Sequence, residues 1–136
     1  MENGQPFHIQ LETDLPFDQA IERITAQLKN YGFGIITEID VTKTLKVKLG
    51  EDFAPYHILG ACNPSFAHKA LLADPRIGVF LPCNVCVWDR GDRRVLMAME
   101  PEMMVSVVDN PKLTQISHDL SCLLHRALDA FSQTNI

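Results

Sequence analysis

The segment from Gly78 to Trp88 constrains the fold more than any other part of the chain. In an extended strand, successive side chains point to opposite faces. One face would carry Val79, Leu81, Cys83, Val85 and Val87. The other would be dominated by Phe80, Pro82, Cys86 and Trp88. Both faces are apolar, and a strand of this kind is buried on both sides. The sequence therefore predicts one long strand over residues 78–88, covered on both faces.

The rest of the chain supplies further strands and helices. Turn residues at 89–92 and an apolar run at 93–99 predict a hairpin partner for the long strand. Periodicity and capping signals predict strands at 7–13, 34–40 and 56–62 and helices at 17–31, 41–49, 64–73, 101–108 and 110–131. The order β-α-β-(α)-β-α-β-β-α predicts a single α+β domain over residues 1–136. We expect a mainly antiparallel sheet with helices on one face.

The two apolar faces also predict an assembly. In a chain of 136 residues the helices are expected to cover only one side of the sheet. An exposed apolar face usually marks an interaction surface. We therefore expect a second copy of the chain to cover part of the other side, in a two-fold homodimer.

Composition narrows the partners and the compartment. The formal net charge of −5 argues against a nucleic-acid surface, which normally carries a clustered basic face. No uninterrupted apolar stretch is long enough to predict a membrane span, and the first residues do not have the pattern of a signal peptide. We expect a cytoplasmic protein whose four cysteines are reduced.

Cys62 is the strongest candidate for chemistry. It ends the predicted strand that starts at Tyr56, and Asn63 and Pro64 are a good N-cap and first residue for the helix that follows. A thiol at a helix N-terminus is favoured as the thiolate. The alternative is that Cys62 is a small core residue that packs under the helix.

Cys83 is the second candidate thiol. Its strand face is apolar, which alone indicates an inert core cysteine. Next to Cys62 it would complete a two-thiol site for a soft transition metal or for redox chemistry. The spacing Cys83-x-x-Cys86 carries little weight, because residues three apart in a strand point to opposite faces. The expected neighbours of the pair are Tyr56, Asn63, His68 and Asn84.

A third set of candidate ligands lies on the last predicted helix. His118, Cys122 and His125 fall on one side of that helix, opposite its apolar stripe. The spacing suits a metal clip, but a solvent-facing polar side is the favoured interpretation. The methionines at 97, 99, 103 and 104 are interpreted as core filler rather than as metal ligands.

Several of these segments resemble the domain-of-unknown-function family numbered 302. The resemblance rests on Tyr31–Gly34 through Asp40, on the Tyr56–Pro64 segment, on Ala67–Leu71 and Gly78, on Leu81–Val85, and on Pro101, Met104 and the last helix. It implies a fold similar to the saddle of TATA-box-binding proteins and a homodimer, and it implies no established activity. Cys86, His118, Cys122 and His125 depart from the family pattern.

The leading interpretation is a homodimeric protein that binds a small molecule or a soft metal ion near Cys62. The helix start at Asn63 could also hold an anionic group. One alternative is a thiol-dependent enzyme with Cys62 as nucleophile and a histidine from elsewhere as base. Another is a non-catalytic assembly or regulatory module whose cysteines only pack.

Overall fold

The fold is a five-stranded antiparallel sheet with helices, in a computed structural model that describes residues 6–133. The strands are β1 (His8–Thr13), β2 (Gly34–Asp40), β3 (Tyr56–Cys62), β4 (Cys83–Asp89) and β5 (Arg94–Met99). The helices are α1 (Phe17–Asn30), α2 (Val41–Leu49), α3 (Pro64–Ala73), α4 (Met103–Val107) and α5 (Leu113–Gln133), with a short 3-10 helix at Pro75–Phe80. The strand order is β1-β5-β4-β3-β2.

The core lies between one face of the sheet and a helical layer. Val85 and Val87 of β4 are fully buried on that face and belong to the same apolar cluster as Ile24 of α1 and Leu124 of α5. The register places Val85 opposite Leu59 and Ala98, which extends this apolar face over three strands. The predicted α+β architecture with a mainly antiparallel sheet is confirmed.

The long strand predicted over residues 78–88 is wrong in its first half. Asp74 caps the 3-10 helix by accepting a hydrogen bond from the backbone N–H of Arg76 at 3.0 Å, so this segment coils instead of extending. Val79 consequently does not share the core face and is 85% exposed. Pairing in β4 begins only at Cys83, after Leu81 and Pro82.

The junction between β3 and α3 forms as predicted. Asn63 is the N-cap of α3, and its side chain accepts a hydrogen bond from the backbone N–H of Phe66 at 3.4 Å. Pro64 is the first helical residue, where its missing N–H costs no intrahelical bond. Cys62 is therefore the last strand residue before the helix.

The sheet face opposite the core carries a second set of apolar side chains. The register puts Ile58, Cys86 and Met97 side by side across β3, β4 and β5. All three are half-buried rather than enclosed. Ile39 extends the same row on β2 and is 48% exposed. Within residues 6–133, this face therefore presents apolar side chains that are only partly covered.

Candidate functional site

A cavity of about 270 Å³ lies where the ends of β3 and β4 meet α3 and α5. Cys62 and Cys83 both line it, so the structure brings the two predicted cysteines to one site. Ala61 pairs with Cys83, which places the last residue of β3, Cys62, beside the first residue of β4 at this end of the sheet. The other lining residues are mainly apolar and come from several elements: Ile36, Ala61, Asn63, Phe66, Ala67, Ala70, Leu71, Leu81, Pro82, Met104, Ile116 and Leu120.

The two thiols differ in exposure. Cys83 is 3% exposed, whereas Cys62 is half-buried. Burial, assisted by the proximity of Cys62, raises the pKa of Cys83 to about 12. The Cys83 side chain is therefore a neutral thiol at physiological pH. Cys62 is the more accessible of the two sulfur atoms to a bound molecule.

The helix start beside Cys62 is already partly occupied by the chain itself. The Asn63 side chain accepts the Phe66 N–H, and Pro64 has no N–H to offer. The amide side chain of Asn63 also lies against Gly32, where an added Cβ would come within 3.0 Å of Asn63 Nδ2. Gly32 has a φ of 88°, so glycine suits this position in both backbone angle and space.

Three of the predicted neighbours lie away from the two thiols. Tyr56 and Asn84 line a separate cavity of about 260 Å³ on the opposite face of the sheet, together with Cys86. His68 is exposed on α3 and is not among the residues that line the Cys62 cavity. Of the six predicted site residues, the structure brings only Cys62, Asn63 and Cys83 together.

Cys86 belongs to the opposite face, as the strand geometry predicts. Cys83 is buried on the core side, whereas Cys86 is half-buried and hydrogen bonded to Tyr56. Burial raises the pKa of Tyr56 to about 12, and the Cys86 side chain adds to the effect. Burial likewise raises the pKa of Cys86. The C-x-x-C spacing therefore forms no two-sulfur clip.

Metal-ligating side chains do not cluster in the described part of the chain. Residues 6–133 contain no group of three or more histidine, cysteine, aspartate or glutamate side chains placed to hold one ion. His118 and Cys122 approach each other, with Nε2 and Sγ 3.7 Å apart. His125 instead places Nε2 2.7 Å from Oε1 of the buried Glu100, away from a shared metal position.

The residues that make the cavity apolar were missed by sequence reasoning. Ala67 and Ala70 line it from α3, and Met104 lines it from α4. The two alanines, at positions three apart, show one helix face with little side-chain volume. That signal was present, but only the fold shows that this face meets Leu81 and Pro82.

Comparison with known proteins identifies the family. The family model described as domain of unknown function DUF302 matches residues 9–131. The chain belongs to this family. A crystal structure of an uncharacterized conserved protein DUF302 from Bacillus stearothermophilus is similar, with 32% sequence identity and a TM-score of 0.85. The match covers 92% of this chain and 98% of that one.

Neither the curated proteins nor the helices of the structure indicate a particular function. No curated protein matches the chain significantly. Among the residues that the structure describes, none of the helices is both long and apolar enough to cross a membrane. The DUF302 family description names no activity, and the function of a fold resides in its sites.

Proposed function

We propose that this DUF302 protein is a homodimer that binds a small, uncharged apolar molecule in the cavity lined by Cys62 and Cys83. The observation that carries the proposal is the cavity itself, whose lining residues are almost all apolar. Concave, largely apolar sites with a few polar groups are typical of small-molecule binding. Here the polar groups are the two thiols and the Asn63 side chain.

The chemistry of the lining favours a neutral ligand. Among the lining residues there is no histidine, lysine, arginine or carboxylate that could pair with a charge. The backbone N–H of Phe66 donates a hydrogen bond to the Asn63 side chain, and Pro64 has no amide hydrogen. The helix start therefore has fewer free N–H groups with which to bind an anion. An ionised ligand would lose its hydration here without a compensating partner.

The same facts weigh against the other interpretations of Cys62. A thiol-dependent enzyme needs a base close to the nucleophile, and none lines the cavity. A soft metal ion held by both thiols would require Cys83 to lose a proton against its raised pKa. A neutral ligand needs neither step, and the polarizable sulfur atoms can contact it directly.

The cavity volume suggests a probe of suitable size. An apolar cavity of roughly 150 Å³ takes up benzene, so about 270 Å³ suits a fused two-ring molecule such as indole. We expect indole to bind with a Kd of about 1 mM or tighter, since a few tenths of a kcal/mol per atom is typical of small ligands. Calorimetric titration or NMR of the intact protein measures this.

Two neighbouring positions on α3 provide a matched pair of variants. Ala67 lines the cavity, whereas the adjacent His68 is exposed outside it. Ala67→Leu adds volume inside the cavity and should weaken indole binding at least tenfold. His68→Leu adds an apolar side chain outside the cavity and should leave the Kd unchanged.

The charged analogue tests the proposed ligand class. Indole carboxylate should bind more weakly than indole, because the lining offers no cation. The proposal fails if indole shows no saturable binding, or if Ala67→Leu binds it as tightly as the unmodified protein. Tighter binding of the carboxylate would show that the helix start at Asn63 governs recognition instead.

The proposed homodimer would form through the sheet face opposite the core. Ile58, Cys86 and Met97 form an apolar row across three adjacent strands, and Ile39 continues it. The helices that bury the core cover the opposite face. A second copy related by a two-fold axis would present the same row to this one, so each apolar face would cover the other.

A further inference from the structure

Three side chains, two on α5 and one just before α4, form an ordered chain of contacts. Cys122 Sγ lies 3.7 Å from His118 Nε2, and His118 Nδ1 lies 2.8 Å from Glu102 Oε1. A nucleophile, a base and a group that orients the base follow one another in this order in enzymes with activated thiols. The cluster is separate from the Cys62 cavity, which none of these three residues lines.

The geometry assigns a role to each member of the cluster. With its Nδ1 hydrogen donated to Glu102, the His118 ring turns Nε2 towards the sulfur of Cys122. A neutral ring can accept the thiol proton there, and the resulting imidazolium can donate to the thiolate. The hydrogen bond to Glu102 and then its negative charge raise the pKa of His118, with a smaller contribution from Asp119. Glu102 thus favours the imidazolium that the ring becomes when it takes up the thiol proton.

Access to the cluster is open. Cys122 and His118 are both exposed on α5. A surface depression of about 420 Å³ adjoins His118 and has several polar side chains, among them Glu102, Ser106, Thr114 and Gln115. Because Cys122 itself is exposed, a polar molecule can reach its thiol without displacing any core residue.

From this arrangement we infer that Cys122 is a reversible modification site, at which the thiol exchanges with a polar low-molecular-weight disulfide. The Cys122 thiolate attacks one sulfur of the disulfide, the S–S bond of that molecule breaks, and a mixed disulfide forms on Cys122. The departing thiolate takes up a proton, so a free thiol leaves. Cys122 is oxidised and half of the disulfide is reduced.

A second histidine on α5, His125, contacts a carboxylate rather than a cysteine. His125 lies on the same helix, but its Nε2 contacts Glu100 Oε1 at 2.7 Å. Ser121 also donates to Glu100, at 2.7 Å. His125 therefore binds the buried carboxylate of Glu100. It is a matched control for His118 on the same helix.

The test measures the rate of mixed-disulfide formation at each cysteine of the folded protein. Oxidised glutathione is the probe, and peptide mass spectrometry after acid quenching resolves the four cysteines. Cys122 should react first, and His118→Gln should slow it about threefold. The factor is modest because His118→Gln removes one hydrogen-bonding partner of the sulfur and leaves Cys122 exposed.

Two further variants complete the experiment. Glu102→Gln should slow Cys122 by less than His118→Gln does, because the ring keeps a hydrogen-bonding partner but loses the negative charge. His125→Gln should leave the rate unchanged. The inference is overturned if another cysteine reacts first, if His118→Gln reacts as fast as the unmodified protein, or if His125→Gln slows Cys122 equally. Unchanged indole binding in all variants would keep this result independent of the Cys62 cavity.

Discussion

At the residue scale, the chemistry of Cys83 follows from its burial. The thiol is 3% exposed in an apolar lining, and its pKa is raised from 9.0 to about 12. Between these pH values the unfolded chain has lost the proton and the folded chain retains it. The folded state therefore binds more protons, and the stability contributed by this group falls as the pH rises through this range.

The first prediction uses this alkaline range. The free energy of unfolding should decrease between pH 9 and pH 12, by at most about 1.4 kcal/mol per pH unit for Cys83. Below pH 9 the contribution is fully present. Urea unfolding at a series of pH values measures it. Tyr56, whose pKa is also raised to about 12, and Cys86, whose pKa burial also raises, contribute in the same direction.

The Cys83→Ala variant isolates the contribution of Cys83. Tyr56 and Cys86 remain in the variant, so the difference between the two pH profiles belongs to Cys83. The difference should depend on pH above 9 and be constant below it. Parallel profiles over the whole range would show that the Cys83 thiol titrates normally in the folded protein.

Gly60 gives a second prediction at this scale. An added Cβ would collide with Thr37 Oγ1 and would lie 2.8 Å from Pro82 Cγ. Gly60→Ala should therefore lower the free energy of unfolding by about 1–3 kcal/mol, as expected for overpacking. It should also disturb the Cys62 cavity, which Pro82 lines.

Gly34 is the matched control for this substitution. It lies on the neighbouring strand β2, and an added Cβ there meets no atom within 4 Å. Gly34→Ala should leave stability unchanged or raise it slightly, because alanine restricts the unfolded chain. Equal urea midpoints for the two variants would contradict the steric argument.

At the scale of elements, Asp74 joins three segments. It ends α3, caps the 3-10 helix through the Arg76 N–H, and accepts a hydrogen bond from Asn110 Nδ2 at 3.2 Å. The Arg76 guanidinium adds a contact of 2.7 Å. Hydrogen bonds from Arg76, followed by the one from Asn110, hold the pKa of Asp74 well below its usual value.

The third prediction is that Asp74→Asn lowers the urea midpoint at neutral pH. A carboxyl group whose pKa is lowered by folding stabilises the fold at pH values above its pKa in the unfolded chain, which is 3.8. This stabilisation is lost as the pH falls below that value. The deficit of the variant should therefore shrink in acid. Asp109→Asn, an exposed position in the connection to α5, should have little effect. A deficit that does not change with pH would exclude the charge of Asp74 as its cause.

The same elements show how far sequence reasoning reaches. The start of α3 was predictable because Asn63 and Pro64 are local signals whose physics involves only adjacent residues. The strand beginning at Gly78 was wrong because apolar alternation does not reveal the capping of a 3-10 helix by Asp74. The meeting of Cys62 and Cys83 needed the register of β3 with β4, which no local pattern contains.

At the scale of the whole molecule, the apolar row on the sheet leads to the last prediction. We expect the protein to be a dimer at micromolar concentration, and Met97→Lys to shift it to monomer, because Met97 lies in this row opposite Cys86. A lysine there would place a charge in each copy of a two-fold interface.

Leu72→Lys is the control, since Leu72 is 74% exposed on α3. It should remain dimeric in analytical ultracentrifugation. A monodisperse monomer for the unmodified protein would contradict the homodimer. A dimer that survives Met97→Lys and dissociates with Leu72→Lys would place the interface on another surface.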